Sequence, residues 1–493
     1  MKNILFFCLL SSSVFAQSGE NLELLFNWND PTIVGTTAYN NAYNEVWGLV
    51  VNEREFAVIG STSGTHIFDV TDPINSEQVQ FIPGADGGTQ IIHRDYHDRD
   101  GYLYAVSDEG NSTLQIIDIK QLPDTAPVIY DSNELIKTAH NIFIDENLNK
   151  LYACNVRSAS SSGWSASSLV IFDIENPKNP IQLISYEVPG TGYGVHDMWV
   201  KNDTAFLNNG GDGLFVVDFT DLTSPQIIGS LTDYTDKGYN HSGWPTADMK
   251  TYIMADEDWG YDMKVLDISD LSDIEEITTF SSEIHPNSIA HNQLIKDNYV
   301  YVSSYHDGLQ VYDISDQENP TKVASYSTYL MNDHDSYRGA WGVYPFLPSG
   351  NILVSDMQYG LYVLTPSQNF SLQSCSAKNI TIYPNPAKTS IKLIVHEQEN
   401  TLDMKIFDLK GQIVMSKKIS QESTDDDDKV EMWLYLDVSG SCYNLRNDFF
   451  CASLTIPQDR IKMRTFCFDT KITEVNLKDR QLISGGGTSF SII

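Results

Sequence analysis

Histidine recurs through the middle of the sequence at intervals of 45 to 56 residues, each time at the start of a predicted β-strand, and acidic residues often follow it. Neutral imidazoles beside carboxylates can ligate zinc, iron, manganese or nickel, whereas a cluster of oxygen ligands in an acidic chain suits calcium. The sequence therefore offers a candidate site for a divalent metal, calcium or a transition metal. Its candidate ligands are His93, Asp95, His140, His196, Asp197 and His291.

The same histidines also have a structural interpretation. Each imidazole could donate a ring N–H to an acidic turn of its own repeat and so stabilise that turn. Five copies of one residue are what a scaffold role predicts, because a single active site rarely needs so many. Both interpretations stay open on the sequence.

The fifth repeat concentrates aromatic and acidic residues, which we expect near one face. Aromatic rings that stack on a ligand, beside carboxylates that orient it, are typical of a sugar or peptide pocket. Packing between repeats is the alternative. The candidate ligand-binding residues are His241, Trp244, Asp256, Glu257 and Trp259.

Catalytic motifs do not accompany these residues. The sequence contains no nucleophile elbow, HExxH motif, phosphate loop or EF-hand loop. Paired acids among Asp256, Glu257 and Asp258 could act as general acid and base, but sequence adjacency does not give their separation in space. The sequence therefore favours binding over catalysis.

These residues are carried by a repeat. Short apolar blocks that end in Asp and a turn recur along the chain, such as SLVIFDIENP from Ser168, GLFVVDFTD from Gly213 and GLQVYDISD from Gly308. Their Asp residues lie 45 to 55 apart, and each unit divides into four β runs separated by turn residues. This period is typical of β-propeller blades. The Asp residues are Asp69, Asp118, Asp173, Asp218, Asp267 and Asp313.

Seven first runs predict seven blades, starting at Trp47, His93, His140, His196, His241, His291 and Trp341. The seventh unit has only three runs, and LELLFNW from Leu22 has the character of the missing fourth. We predict that it pairs with residues 361 to 364 and closes the ring, since closure removes two exposed sheet edges. In four-stranded antiparallel blades the first runs begin where the second runs end, so we expect the histidines to gather at one mouth of the central channel.

The blocks quoted above resemble the LVIVD repeat, and residues 21 to 366 resemble the exported bacterial propellers called choice-of-anchor B proteins. The resemblance implies a fold and a location, without a settled activity. The predicted fold is all-β: a seven-bladed β-propeller over residues 17–366, closed by the N-terminal strand, followed by a small β-sandwich C-terminal domain.

The ends of the chain predict export. Residues 1–16 have the charged start, apolar run and small-residue site of a signal peptide, and no later stretch reaches the length of a transmembrane helix. The net charge of −35 opposes binding to nucleic acid.

The C-terminal part begins with a linker at 367–378. The β-sandwich at 379–439 resembles the C-terminal sorting domain of type IX secretion through Tyr383-Pro384-Asn385-Pro386-Ala387 and the hairpin FDLKGQIV. The resemblance implies the type IX secretion machinery as a partner. Residues 440–493 depart from that pattern and predict an atypical tail, frameshifted or disordered.

Two classes of function follow. The first is a secreted or cell-surface binding or scaffold propeller, with an unknown extracellular polymer or protein as its ligand. The alternative is a metal-dependent hydrolase or lyase that acts on an extracellular polymer, with the histidines and acids as its site.

Overall fold

The computed structural model describes residues 19–161, 166–190, 192, 194–331 and 333–367, together with six strands between 390 and 475. Contacts divide the chain into two compact units, Met1–Ser367 and Gln368–Ile493. Helical structure in the described residues is a single short 3-10 turn, η1 (Pro73–Asn75), so none of them forms a helix able to cross a membrane. The predicted signal peptide lies outside the described residues.

The first unit is a seven-bladed β-propeller, as predicted. Two strands, β1 (Gly19–Glu20) and β2 (Leu22–Trp28), precede the blades. Blade 1 contains β3 (Tyr43–Val51), β4 (Arg54–Ser61), β5 (Gly64–Asp69) and β6 (Glu77–Pro83), and blade 2 contains β7 (Arg94–Arg99), β8 (Tyr102–Ser107), β9 (Leu114–Asp118) and β10 (Val128–Ser132). Blade 3 contains β11 (Ile142–Asp145), β12 (Lys150–Val156), β13 (Ser167–Asp173) and β14 (Ile181–Tyr186).

The remaining blades repeat this order. Blade 4 contains β15 (Asp197–Lys201), β16 (Thr204–Asn208), β17 (Leu214–Asp218) and β18 (Gln226–Leu231), and blade 5 contains β19 (Asn240–Pro245), β20 (Thr251–Asp256), β21 (Met263–Asp267) and β22 (Glu275–Phe280). Blade 6 contains β23 (Asn292–Lys296), β24 (Tyr299–Ser303), β25 (Leu309–Asp313) and β26 (Thr321–Tyr326). Blade 7 contains β27 (Ala340–Tyr344), β28 (Ile352–Asp356), β29 (Gly360–Pro366) and, as its outer strand, β2.

The closure prediction is confirmed. Strand β2 pairs antiparallel with β29, from Leu22 opposite Pro366 to Trp28 opposite Leu361. The structure adds a contact that the sequence did not reveal, because β1 pairs with the outer strand β26 of blade 6. The N-terminal segment therefore joins two blades.

The repeated Asp residues at the ends of the third strands have a structural role. Asp218 Oδ1 accepts a hydrogen bond from the Thr220 amide at 2.8 Å, and Asp267 Oδ1 accepts one from the Ser269 amide at 2.8 Å. Such local bonds favour a turn over a continuing strand. In blades 4 and 5 these hydrogen bonds mark the end of the third strand.

Burial follows the order of the strands in a blade. Four of the five residues of β17 are buried, whereas only one of the six residues of the outer strand β18 is buried. Apolar side chains of adjacent blades form shared clusters, such as the one that joins Val58 of blade 1 to Leu103 of blade 2. The core therefore lies mainly between the blades, and it fixes where each first strand meets the channel.

The second unit contains two three-stranded sheets. One is antiparallel and consists of β30 (Ser390–Leu393), β31 (Thr401–Phe407) and β32 (Ile413–Ser420). In the other, β33 (Val430–Asp437) runs parallel to β34 (Ile461–Phe468), which pairs antiparallel with β35 (Ile472–Val475). A strand before residue 440 thus shares a sheet with two strands after it. The predicted domain boundaries stay predictions.

Candidate functional site

Five imidazoles and one indole form a closed ring where the first strands of blades 2 to 7 begin. Neighbouring ring centroids are 4.1 to 5.5 Å apart all the way round. Five of the six side chains are buried, and that of His140 is 18% exposed. We call this set the histidine ring; its members are His93, His140, His196, His241, His291 and Trp341.

Three members of the ring donate a hydrogen bond through Nδ1. His140 donates to Asp108 Oδ2 at 2.9 Å, His196 to the carbonyl oxygen of His241 at 3.1 Å, and His291 to that of Trp341 at 2.6 Å. Carbonyl oxygens only accept, so Nδ1 of His196 and His291 carries the proton and Nε2 keeps its lone pair. This is the tautomer that metal-ligating histidines adopt when a second group orients the ring.

These bonds correct one structural interpretation of the histidines. Each of the three runs from one blade to the next, and none stays within its own blade as the sequence suggested. The physical reason is the narrow channel, where each first strand lies beside the first strand of its neighbour. In the described part of the chain, Nδ1 of His93 and of His241 is buried without a hydrogen-bond partner.

Burial keeps most of the ring neutral. It lowers the pKa of His196 and His241 well below the usual range, with neighbouring imidazoles adding to the effect, and it lowers the pKa of His291 to about 3. Burial acts in the same direction on His140, but the hydrogen bond and charge of Asp108 outweigh it and raise the pKa of this imidazole. The neutral imidazoles can therefore ligate a metal without first losing a proton.

Glu257 brings a carboxylate to the ring. It follows β20, in the turn that leads to β21, and its Oε2 lies 3.8 Å from His241 Nε2. Candidate ligand atoms of His196, His241 and Glu257 all lie within 4.8 Å of one another. Metal–nitrogen and metal–oxygen bonds are about 2.0 to 2.2 Å long, so each ligand atom would have to move inward by roughly 0.5 to 1 Å to complete a three-ligand centre.

The environment of Glu257 fits such a role. Burial raises the pKa of its carboxyl to about 7, while the Tyr305 hydroxyl, which donates to Oε1, and His140 act in the opposite direction. Tyr305 thereby fixes the orientation of the carboxylate. The structure thus brings together His196, His241 and Glu257, which the sequence had divided between two candidate sites.

Asp95 and Asp197 do not join this group of three. Asp95 Oδ2 accepts a hydrogen bond from the Ile142 amide at 2.6 Å, and Asp197 accepts one from the Asn141 side chain. Burial raises the pKa of both carboxyls, to about 6 for Asp197. Their bonds tie neighbouring blades together.

Glu45 is a buried channel residue that sequence reasoning missed. Its Oε1 accepts a hydrogen bond from the Val46 amide, and its Oε2 accepts one from Asn292 Nδ2, both at 3.0 Å. Burial, with a smaller contribution from the charge of Asp197, raises its pKa to about 8. A Cβ at Gly342 would overlap Oε1 of Glu45. The glycine that follows Trp341, where blades 3, 4 and 6 carry Asn or Asp after the histidine, was the available signal.

The candidate residues of the fifth repeat separate in space. Asp256 forms a fully buried ion pair with Lys264 at 2.9 Å and accepts a hydrogen bond from Tyr234, so it holds its own blade together. Trp259 is 36% exposed and packs against Tyr337, with ring centroids 5.4 Å apart.

Trp244 packs against aromatic rings outside the histidine ring. The expectation that the candidate residues of the fifth repeat lie near one face was therefore wrong for Trp244. Its ring centroid is 5.9 Å from those of Phe143 and Phe346. Three residues of extended strand separate it from His241, which corresponds to about 10 Å. Trp47 is a similar case: β3 begins at Tyr43, and Trp47 does not belong to the histidine ring.

Comparisons with known proteins agree with the architecture. The family model of the LVIVD repeat matches residues 193–233 and 289–328, and that of the secretion system C-terminal sorting domain matches residues 381–432. The chain therefore contains LVIVD repeats and a C-terminal sorting domain. A similar solved structure is that of a protein from Lactobacillus plantarum, with 11% identity, a TM-score of 0.46, and coverage of 77% of this chain and 96% of that one. No curated protein matches the sequence.

Proposed function

We propose that this protein is an exported propeller, secreted or held at the cell surface, that binds an extracellular polymer or protein through a metal centre in the histidine ring. The sorting domain supports export through type IX secretion, since that is the route such domains serve. The net charge of −35 supports a ligand other than a nucleic acid.

The metal centre carries the proposal. Two neutral imidazoles and a carboxylate converge, and a carbonyl oxygen orients the imidazole of His196 through its other nitrogen. Nitrogen donors favour zinc, iron, manganese or nickel over calcium, which prefers oxygen ligands. His196, His241 and Glu257 would hold the ion, and the remaining coordination position would accept an oxygen of the ligand.

Metal analysis of the full chain, purified without a histidine tag, tests this proposal. We expect close to one transition-metal ion per chain after incubation with each candidate metal and removal of excess. The variants His241→Ala and Glu257→Gln should lose it, while His285→Ala, an exposed histidine outside the ring, should retain it. Circular dichroism verifies that each variant is folded. Absence of stoichiometric metal from the wild-type chain would leave the histidine ring with a structural role and overturn the proposal.

A second candidate function is a metal-dependent hydrolase or lyase. Three protein ligands leave one tetrahedral position open, which is the arrangement of catalytic zinc sites. In that case the metal would supply Lewis-acid chemistry, and Tyr305 would position Glu257. Assays of the metal-loaded chain on soluble polysaccharides separate the two functions. Turnover that disappears on chelation supports the enzyme, and saturable binding without turnover supports the binding protein.

A further inference from the structure

A second closed set of aromatic rings lies further along the first strands. His97, Phe143, Trp244 and Tyr344 follow the histidine-ring member of their blade by three or four residues, which corresponds to about 10 to 13 Å. Neighbouring centroids in this set are 4.5 to 5.9 Å apart. Five of its six members are half-buried, so part of each of these five rings remains open to a ligand, whereas His97 is buried. We call it the aromatic cage; it consists of Trp47, His97, Phe143, Trp244, Tyr344 and Phe346.

The cage surrounds a cavity of about 450 Å³. This volume lies within the range of small-molecule sites in proteins. Trp199 also lines the cavity and packs against Phe143, with centroids 6.3 Å apart. The lining comes from the first strands and following turns of blades 1 to 5 and 7, so the cavity lies where the channel ends away from the histidine ring.

The charge around the cavity is negative. Of the described residues that line it, Asp98, Asp145 and Glu146 carry carboxylates, and Lys201 carries an ammonium group. His97 adds no positive charge near neutral pH, because burial lowers its pKa to about 4. Burial raises the pKa of Asp98 to about 6, which leaves this carboxyl ionised at neutral pH.

Several polar groups at the cavity already have protein partners. Asp98 Oδ1 accepts a hydrogen bond from Trp47 Nε1 at 2.8 Å, and Asp145 Oδ2 accepts one from the Asp203 amide at 2.8 Å. His97 Nδ1 donates to the carbonyl oxygen of Asp98 at 3.2 Å. The hydroxyl groups of a sugar would need such polar groups as hydrogen-bond partners, and these groups already bond to the protein. What the cavity offers instead is aromatic surface in a negative field.

We propose that the aromatic cage binds an organic cation with a quaternary or alkylated ammonium group. Ring faces attract such a cation through their quadrupoles, and quaternary ammonium compounds are the ligands that aromatic cages recognise. The carboxylates add long-range attraction without having to form direct hydrogen bonds. This site is separate from the histidine ring and does not depend on the proposed metal.

Calorimetry with the full chain tests the proposal, with choline as the probe and 3,3-dimethylbutan-1-ol as its uncharged isostere. We expect saturable binding of choline, about fivefold or more tighter than that of the isostere, since one cation–π contact contributes roughly 0.5 to 2 kcal/mol. The variants Trp244→Leu and Phe143→Leu should each weaken choline binding by about 2- to 30-fold. Trp259→Leu, which changes an exposed indole outside the cage, should leave it unaltered.

Each other outcome overturns the proposal. Equal affinity for choline and its isostere would define an apolar site. Binding of an oligosaccharide that Trp244→Leu abolishes, without binding of choline, would define a sugar site. Choline binding that neither cage variant alters would place the cation elsewhere. Circular dichroism spectra identify a variant that fails to fold, and the other cage variant then decides the question.

Discussion

Glu45 makes a quantitative prediction about the stability of the propeller. Its pKa is raised from 4.5 to about 8 in the folded chain, mainly by burial, so between these values the folded state binds a proton that the unfolded state has lost. The stabilisation is therefore complete below about pH 4.5 and is lost as the pH rises through about 8. One proton is worth about 1.4 kcal/mol per pH unit, so Glu45 should lower the free energy of unfolding by about 4 kcal/mol between pH 5 and pH 8.

The substitution Glu45→Gln isolates this contribution. The amide has nearly the same shape and stays neutral at every pH, and its oxygen can still accept from Asn292 Nδ2. Relative to the variant, the wild-type chain should therefore lose stability as the pH rises from 5 to 8. Asp95 and Asp197 titrate in both proteins, so the difference between the two curves reports Glu45 together with its charge coupling to these two carboxyls.

Urea unfolding followed by circular dichroism at several pH values measures the difference. Glu77→Gln, at an exposed position in the outer strand of blade 1, is the matched control and should follow the wild-type curve. A difference between wild type and Glu45→Gln that stays constant from pH 5 to pH 8 would refute the reasoning, because Glu45 would then be ionised in the folded chain.

Two further predictions concern closure and the histidine ring. Deletion of residues 22 to 28 exposes the edge of β29 and should lower the melting temperature of the whole propeller; an unchanged melting temperature would show that the ring is stable without its closing strand. Asp108→Asn should lower the pKa of His140, because the hydrogen bond and charge of that carboxylate raise it against the effect of burial. Histidine proton resonances followed by NMR titration would show this, and an unchanged pKa would mean that Asp108 does not control the imidazole.

The sequence predicted the architecture because a propeller repeats its signals. Apolar third strands, the Asp residues that end them and the intervening turns recur in register, so the number of blades and the closing role of residues 22 to 28 could be predicted. The LVIVD and sorting-domain resemblances are confirmed as well. The signal peptide and the domain boundaries stay predictions.

The candidate site could be predicted only in part. Repetition gives the position of a side chain along its strand but not which neighbouring blade it contacts, so the bonds that link blades were assigned within blades. Trp47 was aligned with the histidines because β3 begins earlier, at Tyr43, and contains an irregularity between Tyr43 and Val46. Glu45 belongs to the same irregular stretch. It precedes Trp47, where the sequence predicted the first strand to start, so the repeat pattern gave it no role.

The pairing of the earliest described segment with the latest blades constrains how the molecule matures. Gly19 pairs with Tyr326 and Leu22 with Pro366, so a ribosome must synthesise more than 300 further residues before these partners exist. Contacts so distant in sequence form slowly, since a large loop must close before they contribute. The growing chain therefore carries an open array of blades until residue 366 has been synthesised. Until then the edges of the outermost strands stay unpaired, and the pairing of β2 with β29 is the step that completes the propeller.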